Sequence, residues 1–465
     1  MTLKESALVA PDTAPLPQPA EEPHRATAWP VARTTAAEAG AAARAGRLGQ
    51  GARGPLDVPL DVPLGAALGR VLAGPLLALT DLPSFDTSAM DGWAVAGAGP
   101  WTVREEGAVL AGHAPDAVLA DGEAVRIATG ARVPAGTTAV IRTEHSRTEH
   151  SRTEHSRTEP SRTERGDGAP GPLLLHALRE VRARQDIRPR GQECRAGDQL
   201  LPAGSAVTPA VLGLAAAAGY DALPVLPRPR VEILVLGDEL LTAGLPHEGL
   251  IRDALGPMLG PWLEALGAEV LATRRIGDDA EELYAAVTGS TADLLITTGG
   301  TAAGPVDHLH RVLDAAGATL LVDGVKVRPG HPMLLARLSG EDPRHLVGLP
   351  GNPLAAVSGL LTLAEPLLAA LTGGAREPHR APGVPVQDEV QGHPHDTRLV
   401  PVVRRADGAV PLHYNGPAML RGIAAADGLA VVPPGGARPG QALEILGLPW
   451  PTAAGDVPAE GVCFT

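Results

Sequence analysis

Several stretches of this chain carry residues whose types and spacing could do chemistry. The apolar run Leu294-Leu295-Ile296-Thr297-Thr298 ends in Gly299-Gly300-Thr301-Ala302-Ala303-Gly304-Pro305-Val306-Asp307. Glycines let backbone amides approach a ligand closely, and such amides at a strand's carboxyl end suit an anion such as phosphate. A tight strand-to-helix turn without a ligand accounts for the same residues. A second stretch, Asp81-Leu82-Pro83-Ser84-Phe85-Asp86-Thr87-Ser88-Ala89-Met90-Asp91-Gly92-Trp93-Ala94-Val95, sets three acids in a polar loop. That loop could clamp a cation or a substrate, or be a surface turn with solvated acids. Thr129-Gly130 offers a hydroxyl and bare amides to an anion, and a plain turn is an equal reading. A third stretch is a repeat: Arg142-Thr143-Glu144-His145-Ser146 recurs from Arg147 and Arg152, then degenerately from Arg157 and Arg162. Five-residue steps advance about 500° on an α-helix, so His145, His150 and His155 would fall about 140° apart and share no face. In a strand, odd spacing sends them to alternate faces. The repeat reads as a solvated low-complexity insertion.

These residues need elements to position them. The run before Gly299 has the length of a strand buried on both faces. From Val231 the pattern is strand, turn, helix, repeated. Strands fit 231–236, 269–273, 294–298, 319–322, 333–337 and 345–348, and helices fit 250–266, 280–287 and 307–316. Leu349-Pro350-Gly351-Asn352-Pro353 opens a last helix, with Asn352 as N-cap and Pro353 at the first helical position. Such alternation predicts a doubly wound, mostly parallel sheet that binds ligands at the carboxyl ends of its strands.

Upstream, residues 1–28 read as a disordered tail, followed by helices at 29–47 and near 64–71. Short strands fill 94–141, strand patterning resumes after Gly171, and a helix fits 209–219. Beyond a linker at 373–383, short strands to residue 448 make a small β-barrel, and the last fifteen residues read as a loose tail. The fold class is therefore multidomain α/β plus β. A helical and extended linker domain (29–82 and 186–228) accompanies a small β-rich domain (83–185) carrying the repeat insertion 142–165. The α/β domain spans 229–373 and the C-terminal β-barrel 384–450.

The 465 residues are too many for one core, so several domains are expected. A net charge of −14 argues against general nucleic-acid binding. Two cysteines, Cys194 and Cys463, are too few for a disulfide framework and fit a reducing compartment. No run of about 18 apolar residues and no charged-then-apolar leader stands out. The expectation is a soluble, cytoplasmic protein without a membrane partner. Aromatics are only 2% of residues, so the cores must be built from Ala, Val and Leu.

Four separated stretches together resemble the molybdopterin molybdenumtransferases, the MoeA and gephyrin E-domain family. They are P-S-F-D-T-S-A-M-D-G-W-A-V from Pro83, I-A-T-G-A-R-V-P from Ile127, G-G-T-A-A-G-P-V-D from Gly299 and L-P-G-N-P from Leu349. The resemblance covers about residues 29–450 and implies a molybdopterin-binding type of α/β domain. It also implies an enzyme that hydrolyses adenylylated molybdopterin and inserts molybdate into its dithiolene, with Mg²⁺ and release of AMP. It further implies a homodimer with the active cleft between subunits, and a molybdopterin adenylyltransferase and molybdenum enzymes as possible partners.

In those implied roles, Gly299, Gly300 and Gly304 would cradle the pyrophosphate, and Asn352, Thr129 and Gly130 would join in binding. Glu239 and Asp307 would hold the metal, and Asp91 would orient water or the same ion. Arg328, His331 and Pro332 would face molybdate, a dianion that needs cations. The chain departs from the family's pattern at several points. Val235-Leu236 replaces Ser-Thr, Ala302 replaces a serine, and Arg-Pro-Gly-His-Pro replaces Lys-Pro-Gly-Lys-Pro. Leu255 replaces an asparagine, and Gly416-Pro417 replaces Gly-Ser. Each change removes a hydrogen-bond donor or a fixed charge. A non-catalytic molybdopterin-binding scaffold with an eroded molybdate site is the competing reading. A nucleotide-dependent dehydrogenase is weaker, because no G-x-G-x-x-G follows a first strand.

Overall fold

The computed structural model describes residues 26–49, 59–104, 107–113, 118–151, 171–301, 308–340, 344–373 and 383–450. They form two compact units. One is Pro59–Leu226; the other joins the segment before it to everything from Pro227 onward.

The larger unit is built on a six-stranded sheet. Its strands are β1 (Arg230–Leu236), β2 (Glu269–Ile276), β3 (Leu294–Thr298), β4 (Thr319–Asp323), β5 (Leu334–Leu338) and β6 (Arg344–Leu349), in spatial order β2-β1-β3-β6-β5-β4. The first four in that order run parallel, β5 runs antiparallel between β6 and β4, and β4 returns to the direction of the first four. β3 is buried at every position, with Leu294 and Ile296 facing one core and Leu295 the other. A continuous apolar run is what a strand covered on both faces requires. Fully burying each of those side chains stabilises the fold by about 1.5–3 kcal/mol. Helix Ala280–Gly289 starts where the Asp279 carboxylate accepts from the amides of Glu281 (2.8 Å) and Glu282 (3.1 Å). Helix Leu255–Ala265 is anchored in the same way, its Leu255 and Gly256 amides donating to Asp253.

The structure corrects several expectations. Helix Trp29–Gly49 belongs to the larger unit, not to a linker domain: its small residues Ala32, Ala36, Gly40 and Ala43 lie against the helical run Pro353–Thr372. A side chain at Gly40 would collide with the Leu367 carbonyl, so the two backbones touch there. That run contains a π-helical turn, Leu360–Ala364. The Arg33 guanidinium donates to the Leu361 carbonyl, and the Trp29 indole N–H donates to Thr362 Oγ1 at 3.0 Å. Pro353–Thr372 is also a 20-residue run with a mean hydropathy of 1.8, which corrects the expectation that no apolar run of about 18 residues is present. Most of it lies buried inside the fold.

The expected tail likewise ends early, since Thr27–Ala28 pairs in parallel with Val325 and Lys326. The strand Val325–Arg328 leaves the central sheet and pairs with Thr397–Arg405 of the C-terminal β-sheet. The linker 374–382 and the tail 451–465 lie outside the described residues.

The smaller unit holds a six-stranded sheet that includes Gly92–Val95, Glu123–Ile127 and Ala139–Arg142. The helix expected near 64–71 shrinks to the 3₁₀ turn Leu64–Ala66, because the Gly69 amide and the Arg70 carbonyl are taken by Val207. The repeat is also not wholly an insertion. Ser146–His150 is a strand paired antiparallel with Leu173–Ala177, while residues 152–170, with His155, lie outside the described residues.

Candidate active site

In the sheet order β2-β1-β3, the chain leaves β1 in opposite directions, and a crevice opens at the carboxyl ends of β1 and β3. A cleft of about 700 Å³ lies there. Gly237, Gly299-Gly300 and Gly351-Asn352 reach it from the ends of β1, β3 and β6. Gly299 (φ +84°) and Gly300 (φ +67°) both sit in the left-handed region, which strongly favours glycine. Their floor is bare, but not all of its amides are free. Gly299 N–H donates to Leu349 O at 2.8 Å, which corrects its expected role as an amide donor to the ligand. Gly304 and Asp307 lie outside the described residues.

Glu239 lines the cleft with its carboxylate folded onto Gly237, where any side chain would collide with it. Asp253, Asp278 and Asp279 share the rim, and Arg252 is the fixed cation among the cleft's described residues, with the His308 imidazole beside them. Asp253 and Asp279 are already used as helix caps. The amides of Glu282 and Glu281 hold the Asp279 carboxyl below the usual carboxylate range. Glu239 and Asp278 therefore remain as acids open to a ligand. Asn352 occupies the N-cap position, yet its side chain makes no capping bond and is exposed at the cleft. The Leu354 and Ala355 amides that it would otherwise serve both donate to the Pro417 carbonyl, at 2.8 and 3.3 Å.

Arg328, His331 and Pro332 do not line this cleft. They sit on a turn whose Gly330 packs on Ala355 and Ser358. Arg328 is held by the buried Asp396 at 2.9 Å, so its charge is compensated. His331 Nδ1 lies 2.9 Å from Val325 O. The register partner of Arg328 is Arg398, whose guanidinium donates to Gln391 O (2.8 Å) and Asn415 Oδ1 (2.9 Å), both neutral. The sequence reading missed Arg398. Only the crossover of Val325–Arg328 into the other sheet reveals it.

In the smaller unit, Asp91 and Thr129 do meet: the Thr129 amide donates to Asp91 Oδ1 at 2.8 Å. The Gly130 amide donates to Ser88 O at 2.8 Å. The bare amides expected at Thr129-Gly130 are thus spent within the fold, leaving the Thr129 hydroxyl and the second Asp91 oxygen exposed. Asp86 organises this loop, accepting from the Arg190 amide and the Arg184 guanidinium, both at 2.8 Å.

Family comparison agrees with this geometry. Residues 34–219 match the MoeA N-terminal region (domains I and II), residues 232–370 the probable molybdopterin binding domain, and residues 384–448 the MoeA C-terminal region (domain IV). A protein named molybdopterin molybdenumtransferase 2 from Mycobacterium tuberculosis H37Rv is 35% identical over 388 residues, 78% of this chain and 88% of that protein. The chain belongs to the molybdopterin molybdenumtransferase family. A molybdopterin molybdenumtransferase from Staphylococcus aureus COL is 28% identical over 399 residues, 81% of this chain and 88% of that one. The crystal structure of a molybdopterin biosynthesis MoeA protein from Pyrococcus horikosii has the same fold. It superimposes with a TM-score of 0.67 at 23% identity, over 91% of this chain and 99% of that one. Against the family pattern, Leu236 and Leu255 fill cleft positions with apolar side chains, and Pro417 keeps only a backbone carbonyl for the last helix.

Proposed function

We propose that this chain hydrolyses adenylylated molybdopterin and inserts molybdate into its dithiolene, releasing AMP as a step of molybdenum cofactor biosynthesis. The observation that carries this reading is the cleft itself: a bare glycine floor at the β1/β3 crevice with the Glu239 carboxylate folded onto Gly237. A diphosphate fits that floor, with the Gly300 backbone and the Asn352 amide beside it.

The rim carries more acids than cations, which would repel an anion unless a divalent ion lies between. Mg²⁺ is commonly held by one or two carboxylates plus substrate phosphates. Glu239 fits that role, with Asp307 as the second ligand. When bound, the ion supplies neutralisation of charge developing on the phosphoanhydride. The chain's own part is to orient the diphosphate on Gly299-Gly300 and to keep a carboxylate within reach of it. Molybdate, as substrate, needs an uncompensated cation, and Arg398 supplies one beside Arg328 and His331. The homodimer belongs to the same proposal, with the Asp91–Thr129 loop acting from a second copy, in the reducing cytoplasm.

The test is AMP release from adenylylated molybdopterin at near-physiological molybdate. The expected result is release that depends on both Mg²⁺ and molybdate, and that falls about 100-fold or more in Glu239→Gln, which keeps its fold. Release at background rate from a wild-type chain that still binds the substrate tightly would instead make it a scaffold.

A further inference from the structure

The strand Ser146–His150 lies at one end of the smaller unit's sheet, next to Leu173–Ala177 and with no second neighbour among the described residues. Its direction of hydrogen bonding can be worked out. His145 O accepts from Leu178 N–H, and Ser151 N–H donates to Pro172 O. In an antiparallel ladder, hydrogen-bonded and non-bonded pairs alternate, so Arg147 and Glu149 also bond inward and Ser146, Thr148 and His150 point their backbone groups outward. The Ser146 N–H is taken by Thr143 O. The amides and carbonyls of Thr148 and His150, and the carbonyl of Ser146, are left at the open edge. No proline, bulge or inward-pointing charge blunts that edge, and Arg147 to His150 are exposed.

The sequence on this edge is complementary to itself. Laid antiparallel on a second copy about Thr148, each Arg147 stands opposite a Glu149, and each Ser146 opposite a His150. Thr148 N–H then donates to Thr148 O of the other copy in both directions, and His150 N–H donates to Ser146 O in both directions. The Arg147–Glu149 positions become the closely spaced non-bonded pairs, where opposite charges attract. Within one copy these two side chains are only loosely paired, at 3.8 Å, while the Glu149 carboxylate also meets the His176 imidazole at 3.0 Å.

We infer that this edge is a two-fold docking surface for a second copy of the same chain, joining two six-stranded sheets into one continuous sheet. A short strand edge gives a small interface, so the association is weak and reversible. It uses none of the residues assigned to the cleft, and it adds to whatever species the protein forms by other contacts.

Sedimentation of the full-length protein, from about 5 to about 500 µM, spans the range suited to a small interface. The expected result is a weight-average mass that climbs with concentration above that of the basal species. Thr148→Pro removes an outward N–H without touching the bond to Leu173–Ala177, and should flatten that climb. Arg147→Glu places like charges opposite each other and should weaken the association about tenfold or more. The double exchange Arg147→Glu with Glu149→Arg restores the alternation and should restore the climb. A flat wild-type mass would overturn the inference, and so would a climb that survives both Thr148→Pro and Arg147→Glu. Should Thr148→Pro disturb folding, a mixture decides the matter. Arg147→Glu chains and Glu149→Arg chains, each flat alone, should climb when mixed, since the mixture restores opposite charges only between copies and not within one. A mixture that stays flat would overturn the inference.

Discussion

At the scale of single residues, the site separates groups spent on holding the fold from groups left for chemistry. Asp86 is of the first kind. The Arg190 amide, with the Arg184 guanidinium, holds its carboxyl below the usual range. A depressed folded-state pKa contributes stability above the ordinary carboxylate value, near pH 4, and loses it as pH falls through the folded value. Asp86→Asn should therefore lower the melting temperature at pH 7 by about 2–4 °C, taking about 1 kcal/mol after discounting for solvent screening. The gap from wild type should close in acid, and thermal melts from pH 7 down to pH 3 check it. Arg398 is of the second kind, since its partners are neutral while Arg328 is compensated by Asp396. Arg398→Ala should raise the molybdate concentration needed for half-maximal AMP release by about tenfold, a loss of roughly 1.4 kcal/mol. Tight binding of adenylylated molybdopterin should persist. An unchanged molybdate dependence would remove Arg398 from the oxyanion's seat.

At the scale of elements, the strands and helices of the α/β unit were legible, because β3 and its neighbours are apolar runs punctuated by glycine and by capping acids. What the sequence hid was partnership. The spacing Ala32, Ala36, Gly40, Ala43 marks one helix face, but nothing local says that Pro353–Thr372 fills it. Two glycine substitutions separate tertiary contact from propensity. A methyl group at Gly40 would meet the Leu367 carbonyl, so Gly40→Ala should lose more to overpacking, about 1–3 kcal/mol, than the roughly 1 kcal/mol it gains in helix propensity. Gly213, inside helix Pro209–Ala217, has nothing within 4 Å, so Gly213→Ala should stabilise by about 0.5–1 kcal/mol. Denaturant titration of the two variants should move their midpoints in opposite directions. The repeat was half legible: its composition signalled solvent exposure, but the pairing of Ser146–His150 with Leu173–Ala177 rests on a strand beyond the repeat.

At the scale of the whole molecule, the family was readable from four short stretches, and the structure brings Gly299-Gly300, Asn352 and Glu239 to one cleft. The placement of Arg328 and His331 was not readable, because it depends on Val325–Arg328 crossing into the C-terminal sheet, a long-range choice that no local pattern encodes. The same crossing sets Arg398 beside Arg328, so the cleft and the Arg328–Arg398 corner both draw on the α/β domain and the C-terminal domain of the larger unit. The central claim is that the diphosphate end of the substrate lies on Gly299-Gly300 with Glu239 at its side. A crystal soaked with AMP and molybdate tests this most directly. The account predicts phosphate density over Gly299-Gly300 within hydrogen-bonding reach of Asn352, and an anomalous molybdenum peak beside Arg398. Phosphate bound elsewhere, or Glu239 turned away from an occupied cleft, would contradict it.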